Sequence, residues 1–74
     1  MSLNPYPFVY IAKKDIQAEK GFIQKGTELI VTAWNEEAWV RVKDAKTGVS
    51  YGGGVYLGWL EEKIDEKGKK VFVR

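Results

Sequence analysis

Three short apolar segments, separated by tight polar or glycine-rich turns, occupy the stretch from Lys25 to Leu60. The first follows a turn at residues 25–26, the second begins at Trp39, and the third ends at Leu60. All three are rich in β-branched and aromatic side chains, which favour strands over helices. Strands this short and this closely spaced are typical of small barrels. We therefore predict an all-β domain built as a small barrel of five or six strands.

The clearest alternation in the chain runs through residues 38–43. One side of this segment carries only apolar side chains, those of Ala38, Val40 and Val42. The other side carries a tryptophan and two cations, Trp39, Arg41 and Lys43. Because successive side chains of a strand point to opposite faces, we expect the first set to be buried. Trp39 is then predicted to lie exposed on a basic outer face.

The preceding part of the chain predicts two strands and an arm between them. A first strand is expected over residues 8–12, and a long one over residues 27–34, with Leu29, Val31 and Ala33 facing inward. The segment between these strands is polar, but its apolar side chains recur at a spacing of two residues. This spacing favours an extended hairpin arm, with a short helix over residues 15–20 as the alternative.

The second half of the chain is less regular. Residues 44–48 predict a turn, and the glycines at 52–54 predict a bulge or, as the favoured interpretation, a flexible distal loop. A strand is expected over residues 55–60, where both alternating sets of side chains are apolar, so its inward face stays open. The remaining predicted elements are a helical turn over 61–64, a turn at 67–68 and a terminal strand over 71–73.

The composition excludes several kinds of chemistry. The chain contains no cysteine and no histidine, which removes disulfides, thiolate ligands and the commonest general base. With only Ser2 and Ser50 as serines, a catalytic triad is excluded. The adjacent glutamates at 36–37 and 61–62 are sequence neighbours, so they do not face each other across a substrate. We expect no enzymatic activity, no cofactor and no metal.

Charge and hydropathy narrow the choice of partner. The net charge of +2 is small for a chain that binds nucleic acid through its phosphates. No apolar run approaches the length of a membrane span, and no signal-peptide pattern is found near the N-terminus, so a cytoplasmic location without membrane contact is expected. Pro5 and Pro7 predict an extended lead-in over residues 1–7, followed by a single domain over residues 8–74.

Several short motifs occur in the order found in the Src-homology-3 (SH3) family. The segments that resemble the family's second turn, its tryptophan pair and its last motif are Gln24-Lys25-Gly26-Thr27-Glu28, Trp39-Val40 and Gly58-Trp59-Leu60. The last of these is also similar to the Gly-Trp-Val or Gly-Trp-Leu ending of bacterial SH3-like domains. The resemblance covers residues 8–64. It implies an SH3-like barrel with a non-catalytic binding role.

The resemblance does not extend to the family's peptide groove. At the positions of the two first-strand tyrosines the chain has Ala12 and Lys14, and at the proline and tyrosine of the last motif it has Glu61 and Ile64. Only Trp39 and Trp59 correspond to aromatic residues of that groove. Since a Pro-rich ligand packs on flat aromatic ridges, we predict that this chain does not bind such peptides in the family's usual manner.

Two sets of residues are candidates for binding. Trp39, Arg41 and Lys43 can form an aromatic and basic patch for an acidic peptide or a single-stranded nucleic acid, or Trp39 can simply cover the edge of the core. Tyr56 and Trp59 can line a groove or belong to the core. A protein- or peptide-binding module, such as an adaptor, inhibitor or assembly subunit, is the leading hypothesis. The alternative is nucleic-acid binding, which a basic stripe through Arg41, Lys43 and the C-terminal lysines would favour.

Overall fold

A computed structural model describes residues 4–73, so residues 1–3 of the predicted lead-in and residue 74 lie outside the described residues. Its regular elements are β1 (Val9–Ala12), β2 (Ile16–Ala18), β3 (Gly21–Ile23), β4 (Glu28–Trp34), β5 (Trp39–Asp44), β6 (Ser50–Tyr56), a 3-10 helix (Leu57–Trp59) and β7 (Leu60–Glu62). No α-helix occurs within the described range. The predicted all-β class is therefore confirmed.

The strands form one sheet and one separate hairpin. Five antiparallel strands pair in the order β6-β5-β4-β1-β7, and β2 pairs with β3 to form a hairpin arm between β1 and β4. The short alternative helix over residues 15–20 is wrong, because Ile16 and Ala18 are both buried from an extended strand. The arrangement is consistent with the predicted small barrel-like fold.

The core lies between the sheet and the hairpin arm. Its buried side chains are Tyr10, Ala12, Ile16, Ala18, Ile23, Leu29, Val31, Val40, Val42, Val55 and Leu60. Val40 and Val42 are 2% and 0% exposed, whereas Trp39 is 41% exposed. The predicted register of β5 is thus confirmed for these residues, and the outer face of β5 is available to solvent.

The hairpin arm is attached to β6 through the backbone. The Glu19 amide donates a hydrogen bond to the Gly53 carbonyl at 3.0 Å, and the Lys20 amide donates to the Tyr51 carbonyl at 2.9 Å. Contacts this close require β6 to have little side-chain bulk where the arm crosses it. A Cβ atom added at Gly52 would lie 3.1 Å from Oε1 of Glu19, which is tighter than ordinary van der Waals contact.

The glycines at 52–54 therefore do not form the flexible distal loop that the sequence analysis favours. They lie inside β6, where Gly52 and Gly54 have φ angles of 74° and 79°, values that side chains disfavour. The pairing of β5 with β6 changes register here, so the predicted bulge is confirmed and the predicted flexible loop is wrong. The turn at the far end of β5 and β6 is formed by residues 44–48, as expected.

The predicted strand over residues 55–60 is wrong in part. The chain leaves β6 after Tyr56, makes one turn of 3-10 helix, and enters β7 at Leu60. This turn carries the chain from the β5 edge across to β1, where Leu60 pairs with Ala12. The predicted helical turn over 61–64 is also wrong, because Glu61 and Glu62 belong to β7. The helical turn occurs earlier in the chain.

After β7 the chain forms a C-terminal hairpin, which we define as residues 64–73. Val9 donates a backbone hydrogen bond to Val71 and accepts one from Lys63, both at 2.8 Å. Phe8 and Phe72 form an isolated bridge, so the predicted terminal strand over 71–73 is present only as single bridge contacts. These contacts attach the hairpin to the start of β1.

Candidate binding site

The three aromatic side chains that sequence analysis placed in two separate candidate sites form one group. Trp39, Tyr56 and Trp59 contact one another edge to face, and we call them the Trp cluster. The ring centroids are 5.5 Å apart for Trp39 and Tyr56, 5.8 Å for Trp39 and Trp59, and 5.9 Å for Tyr56 and Trp59. These are favoured aromatic separations and orientations. Trp39 and Tyr56 are 41% and 40% exposed, so the cluster forms part of the surface.

The cluster is assembled at one end of the β5–β6 pair. Trp39 begins β5 and lies directly opposite Tyr56, the last residue of β6. The 3-10 helix follows at once, and its first amide, that of Leu57, donates to the carbonyl of Ala38 at 2.8 Å. The short helix then places Trp59 beside the other two rings, where it packs partly against the core. Main-chain hydrogen bonds on both sides therefore fix the positions of the rings.

The turn before β5 fixes the backbone of Trp39. Asn35 Oδ1 accepts hydrogen bonds from the amides of Glu37 at 2.9 Å and Trp39 at 3.0 Å, and the Asn35 amide donates to the Trp39 carbonyl at 3.1 Å. Ala38, in this turn, has a φ of 67° and is half-buried. The prediction that Ala38 shares the buried face of Val40 is therefore wrong. The asparagine-closed turn ends the strand alternation one residue before Trp39.

Gly58 makes room for the ring of Tyr56. A Cβ atom at this position would lie 2.5 Å from Cε2 and 2.9 Å from Cδ2 of Tyr56, closer than carbon atoms approach without displacement. The aromatic ring therefore rests directly on the main chain of the 3-10 helix. This contact gives the glycine of the Gly58-Trp59-Leu60 motif a specific packing role in the cluster.

Lys14 is a member of the site that sequence analysis did not select. Its Nζ atom lies 4.8 Å from the ring centroid of Trp59, within the range of a cation–π interaction. The backbone brings it there, because the Lys13 amide donates to the Trp59 carbonyl at 2.9 Å. Lys14 and Trp59 are far apart in sequence, and no local pattern indicates their contact. The sequence alone indicates only that Lys14 stands where the SH3 family has a tyrosine.

The two predicted cations differ in their surroundings. Arg41 is exposed on the same strand face as Trp39, and its Nη2 atom lies 3.3 Å from Oε1 of Glu19 in the hairpin arm. Lys43 is half-buried and lies further along β5, between Ile30 and Ser50 on the neighbouring strands. Neither residue contacts the aromatic rings closely enough to form a cation–π pair like that of Lys14. The predicted basic patch is therefore partly neutralised at Arg41.

A small cleft adjoins the Trp cluster on the side of the hairpin arm. It has a volume of about 270 Å³ and is lined by residues that include Glu19, Trp34, Asn35, Trp39 and Arg41. Trp39 thus contributes both to the cluster and to the cleft. The cleft presents aromatic surface beside one ion pair, so it can receive a side chain that has both an apolar body and a polar end.

Two carboxylates have lowered pKa values, and both are explained by structural contacts. Backbone amides of Thr47 and Lys46 donate to Asp44 and lower its pKa, which stabilises the turn after β5. The hydrogen bond from Lys63 to Glu28, with Nζ and Oε1 2.8 Å apart, lowers the pKa of Glu28. Within residues 4–73 no group of three potential metal-ligating side chains is found.

Comparison with protein-family models, with curated proteins and with solved structures finds no match for this chain. In the described part of the chain, no helix has the length and apolar character needed to cross a membrane.

Proposed function

We propose that this chain is a non-catalytic protein- or peptide-binding module and that its partner contacts the Trp cluster. The observation that carries the proposal is the mutual contact of three aromatic rings, two of them about two-fifths exposed, on the surface of a very small domain. Tryptophan and tyrosine dominate the binding energy of protein interfaces. Because these rings are held in place before binding, little side-chain entropy is lost when a partner docks.

The charge next to the cluster supports a partner with an acidic or polar group beside an apolar one. Lys14 is exposed and stacks on Trp59, and within residues 4–73 it has no carboxylate in salt-bridge distance. Its ammonium group remains able to meet a carboxylate of the partner. The partner's apolar side chain would pack on Trp39 and Tyr56.

The order of elements supports the proposal that the chain belongs among SH3-like domains. A first strand, a long arm, a turn at Lys25-Gly26, a strand that starts with Trp39 and a Gly-Trp-Leu segment follow one another as the resemblance implies. The residues that differ from the family also have other roles. Ala12 is buried in the core and Lys14 stacks on Trp59. These roles support a ligand other than a standard Pro-rich peptide.

The ion pairs of the basic side chains favour a protein partner over the alternative, nucleic-acid binding. Four basic side chains lie in salt bridges within the described residues, namely Arg41 with Glu19, Lys46 and Lys63 with Glu28, and Lys70 with Glu62. A basic stripe for phosphates requires cations without such partners, since each bound phosphate is neutralised by a free positive charge. An uninterrupted stripe through Arg41 and the C-terminal lysines is therefore not supported.

Selection from a random peptide display library tests the proposal. Selected peptides are synthesised and titrated while the tryptophan fluorescence of the domain is followed. We expect saturable binding that Trp39→Ala weakens strongly and that Phe22→Ala does not change. Phe22 is a suitable control because it is an exposed aromatic residue, 55% accessible, at the tip of the hairpin arm.

Two results would contradict the proposal. Peptides that bind Trp39→Ala as tightly as the original chain would exclude the Trp cluster as the site. Sub-micromolar retention of a single-stranded oligonucleotide in about 0.15 M salt, lost in Trp39→Ala, would favour the nucleic-acid alternative.

A further inference from the structure

A second, larger groove lies on a different side of Tyr56. It runs between the N-terminal segment, β1 and the stretch from the 3-10 helix into β7, and it has a volume of about 650 Å³. Its apolar lining includes Tyr6, Phe8, Tyr10, Tyr56, Leu57 and Leu60. Trp39, Trp59 and Lys14 do not line it. The groove is therefore a surface separate from the Trp cluster, with Tyr56 as the shared boundary.

Two carboxylates line this groove although the chain as a whole is positively charged. Glu61 and Glu62 line it directly. The turn that supplies its Ala38 also carries Glu36 and Glu37, and both are exposed. Among residues 4–73 only Glu62 of these four is ion-paired, with its Oε2 atom 3.0 Å from Nζ of Lys70. We call this surface the acidic groove.

The polar groups of the acidic groove are suited to a ligand that donates N–H hydrogen bonds. Burial raises the pKa of Tyr10, and the negative charge of Glu62 and the proximity of Tyr6 raise it further. Tyr10 lies opposite Glu62 in the pairing of β1 with β7, which accounts for the effect of that carboxylate. Oε2 of Glu62 is inaccessible to solvent and lies 3.0 Å from Nζ of Lys70, so it is not open to a ligand, whereas the carboxylate of Glu61 is exposed. An anion would be repelled here, whereas an N–H donor would be stabilised.

We infer that the acidic groove binds a basic peptide segment in which an arginine stands beside an apolar side chain. The guanidinium group is planar, stacks on aromatic faces and donates to carboxylates, so it matches a groove with tyrosine and phenylalanine walls and glutamates at the rim. The neighbouring apolar side chain covers Leu57 and Leu60. Both parts of the ligand are needed, since the lining is mostly apolar and only its rim is charged.

The net charge of +2 makes this inference specific. A basic peptide is repelled on average by a positive protein, so its binding requires a local negative field. Glu61 and Glu62 supply such a field, reduced by the Lys70 ammonium that pairs with Glu62, whereas Lys14 gives the Trp cluster the opposite polarity. The two surfaces therefore select ligands of opposite charge, and each can be tested while the other remains intact.

The experiment uses a fluorescein-labelled peptide in which arginine alternates with leucine, titrated by anisotropy in about 0.15 M salt. A second peptide has citrulline, the neutral isostere, in place of each arginine. We expect the arginine peptide to bind at least about tenfold more tightly than the citrulline peptide, since charged hydrogen bonds are replaced by neutral ones. Equal affinity of the two peptides would overturn the inference.

Single substitutions in the chain test whether the arginine peptide binds in the acidic groove. Glu61→Gln is expected to weaken the arginine peptide about threefold to fivefold, the effect of one partly exposed charge, while Glu66→Gln, in the remote C-terminal turn, leaves it unchanged. Trp39→Ala is expected to leave it unchanged as well, and the amide resonances of Glu61 and Glu62 should shift in the NMR spectrum on binding. Loss of binding in Trp39→Ala, or no effect of Glu61→Gln, would overturn the assignment to the groove.

A second copy of this chain is the other molecule that can occupy the acidic groove, and sedimentation equilibrium tests this by measuring the oligomeric state. We expect a monomer whose groove resonances do not depend on protein concentration. A dimer whose formation shifts the Glu61 and Glu62 resonances, and which the arginine peptide does not dissociate, would overturn the inference in favour of self-association.

Discussion

Two aromatic groups in this domain have the same components but different surroundings. In the Trp cluster Lys14 lies 4.8 Å from the centroid of Trp59, and at the C-terminal hairpin Lys70 lies 5.1 Å from the centroid of Phe8. Phe8 also packs against Phe72 with the two rings tilted by 47° and their centroids 4.8 Å apart. Each group thus combines aromatic rings with one lysine.

The difference between the groups lies in what else their residues contact. Lys70 also pairs with Glu62, and Phe72 is attached to the rest of the domain through an isolated bridge to Phe8. The Trp cluster lies at the end of two long paired strands, and within the described residues its lysine has no carboxylate partner. The Phe8–Phe72 group thus attaches the C-terminal hairpin to β1, whereas the Trp cluster leaves aromatic surface and a charge exposed, as the proposed binding role requires.

The largest expected effect is on binding, in Trp39→Ala. Removal of a partly exposed central ring is expected to reduce affinity for a selected peptide by about 2 kcal/mol or more, as at other tryptophan hot spots. The free energy of unfolding should change by less than about 1 kcal/mol, because the ring is 41% exposed and is not part of the buried core. Peptide titration and urea unfolding measure the two quantities.

The reverse pattern is expected for Phe72→Ala. Loss of the tilted ring contact with Phe8 should lower the free energy of unfolding by about 1 to 2 kcal/mol, less than for a fully buried ring because Phe72 is 59% exposed. Affinity for a peptide bound at the Trp cluster should stay within about twofold. If both variants lose binding and stability to the same degree, the distinction between the two groups is incorrect.

The sequence predicted the parts of the fold where one face is uniformly apolar. In β5 the valines at 40 and 42 alternate with Trp39 and Arg41, and this pattern has only one register that buries the apolar side. The same reasoning was not able to orient residues 55–60, because both faces there are apolar. The observed change from strand to 3-10 helix at Leu57 depends on the distant pairing of Leu60 with Ala12.

The candidate site was predictable only in part for a similar reason. Exposure of Trp39 follows from local alternation, but its contact with Trp59 and the position of Lys14 over that ring follow from tertiary structure. The glycines at 52–54 show the same limit. Their composition permits a loop or a bulge, and the backbone contacts of Glu19 and Lys20 with β6 decide for the bulge.

Gly58→Ala separates the geometry of the Trp cluster from its composition. All three rings remain, but the new Cβ atom would lie 2.5 Å from Cε2 of Tyr56, so this ring must move. Since the ring is partly exposed and can shift, we expect a loss of only about 1 kcal/mol in unfolding free energy, together with a changed near-ultraviolet circular dichroism spectrum. Gly26→Ala is the control for the spectrum alone: no atom lies within 4 Å of its added Cβ, so the aromatic signal should not change, although its φ of 91° disfavours alanine and lowers stability. An unchanged aromatic spectrum in Gly58→Ala would contradict the packing role of the glycine.

Lys14→Gln tests the charge of the Trp cluster. The substitution keeps most of the side chain and removes the ammonium group over Trp59. Affinity for an acidic selected peptide should fall by about 0.5 to 1 kcal/mol, the value of an exposed cation–π or ion pair, and the loss should diminish at high salt. Lys70→Gln should leave this affinity unchanged, because Lys70 belongs to the C-terminal group. A larger loss from Lys70→Gln than from Lys14→Gln would place the partner at the C-terminal hairpin.

The smallest expected effect is on the pH dependence of stability, through the contact between Lys63, which directly precedes the C-terminal hairpin, and Glu28. Lys63 donates to Glu28, and this hydrogen bond is the main cause of the lowered pKa of that carboxyl group. A carboxyl group with a lower pKa in the folded state stabilises the fold above its unfolded pKa, and this contribution is lost as the pH falls through the folded pKa. At neutral pH the free energy of unfolding of the unsubstituted chain should therefore exceed that of Glu28→Gln by about 0.5 kcal/mol.

The difference should disappear in acid, below the usual glutamate range. Asp44 also has a lowered pKa, but it is present in both proteins, so its contribution cancels when the two unfolding curves are compared at each pH. The aromatic circular dichroism of the Trp cluster should be the same in both proteins, because Glu28 lies outside that cluster. A stability difference that grows toward acid pH would reverse the sign required by the Lys63 contact. It would show that this ion pair does not secure the start of the C-terminal hairpin.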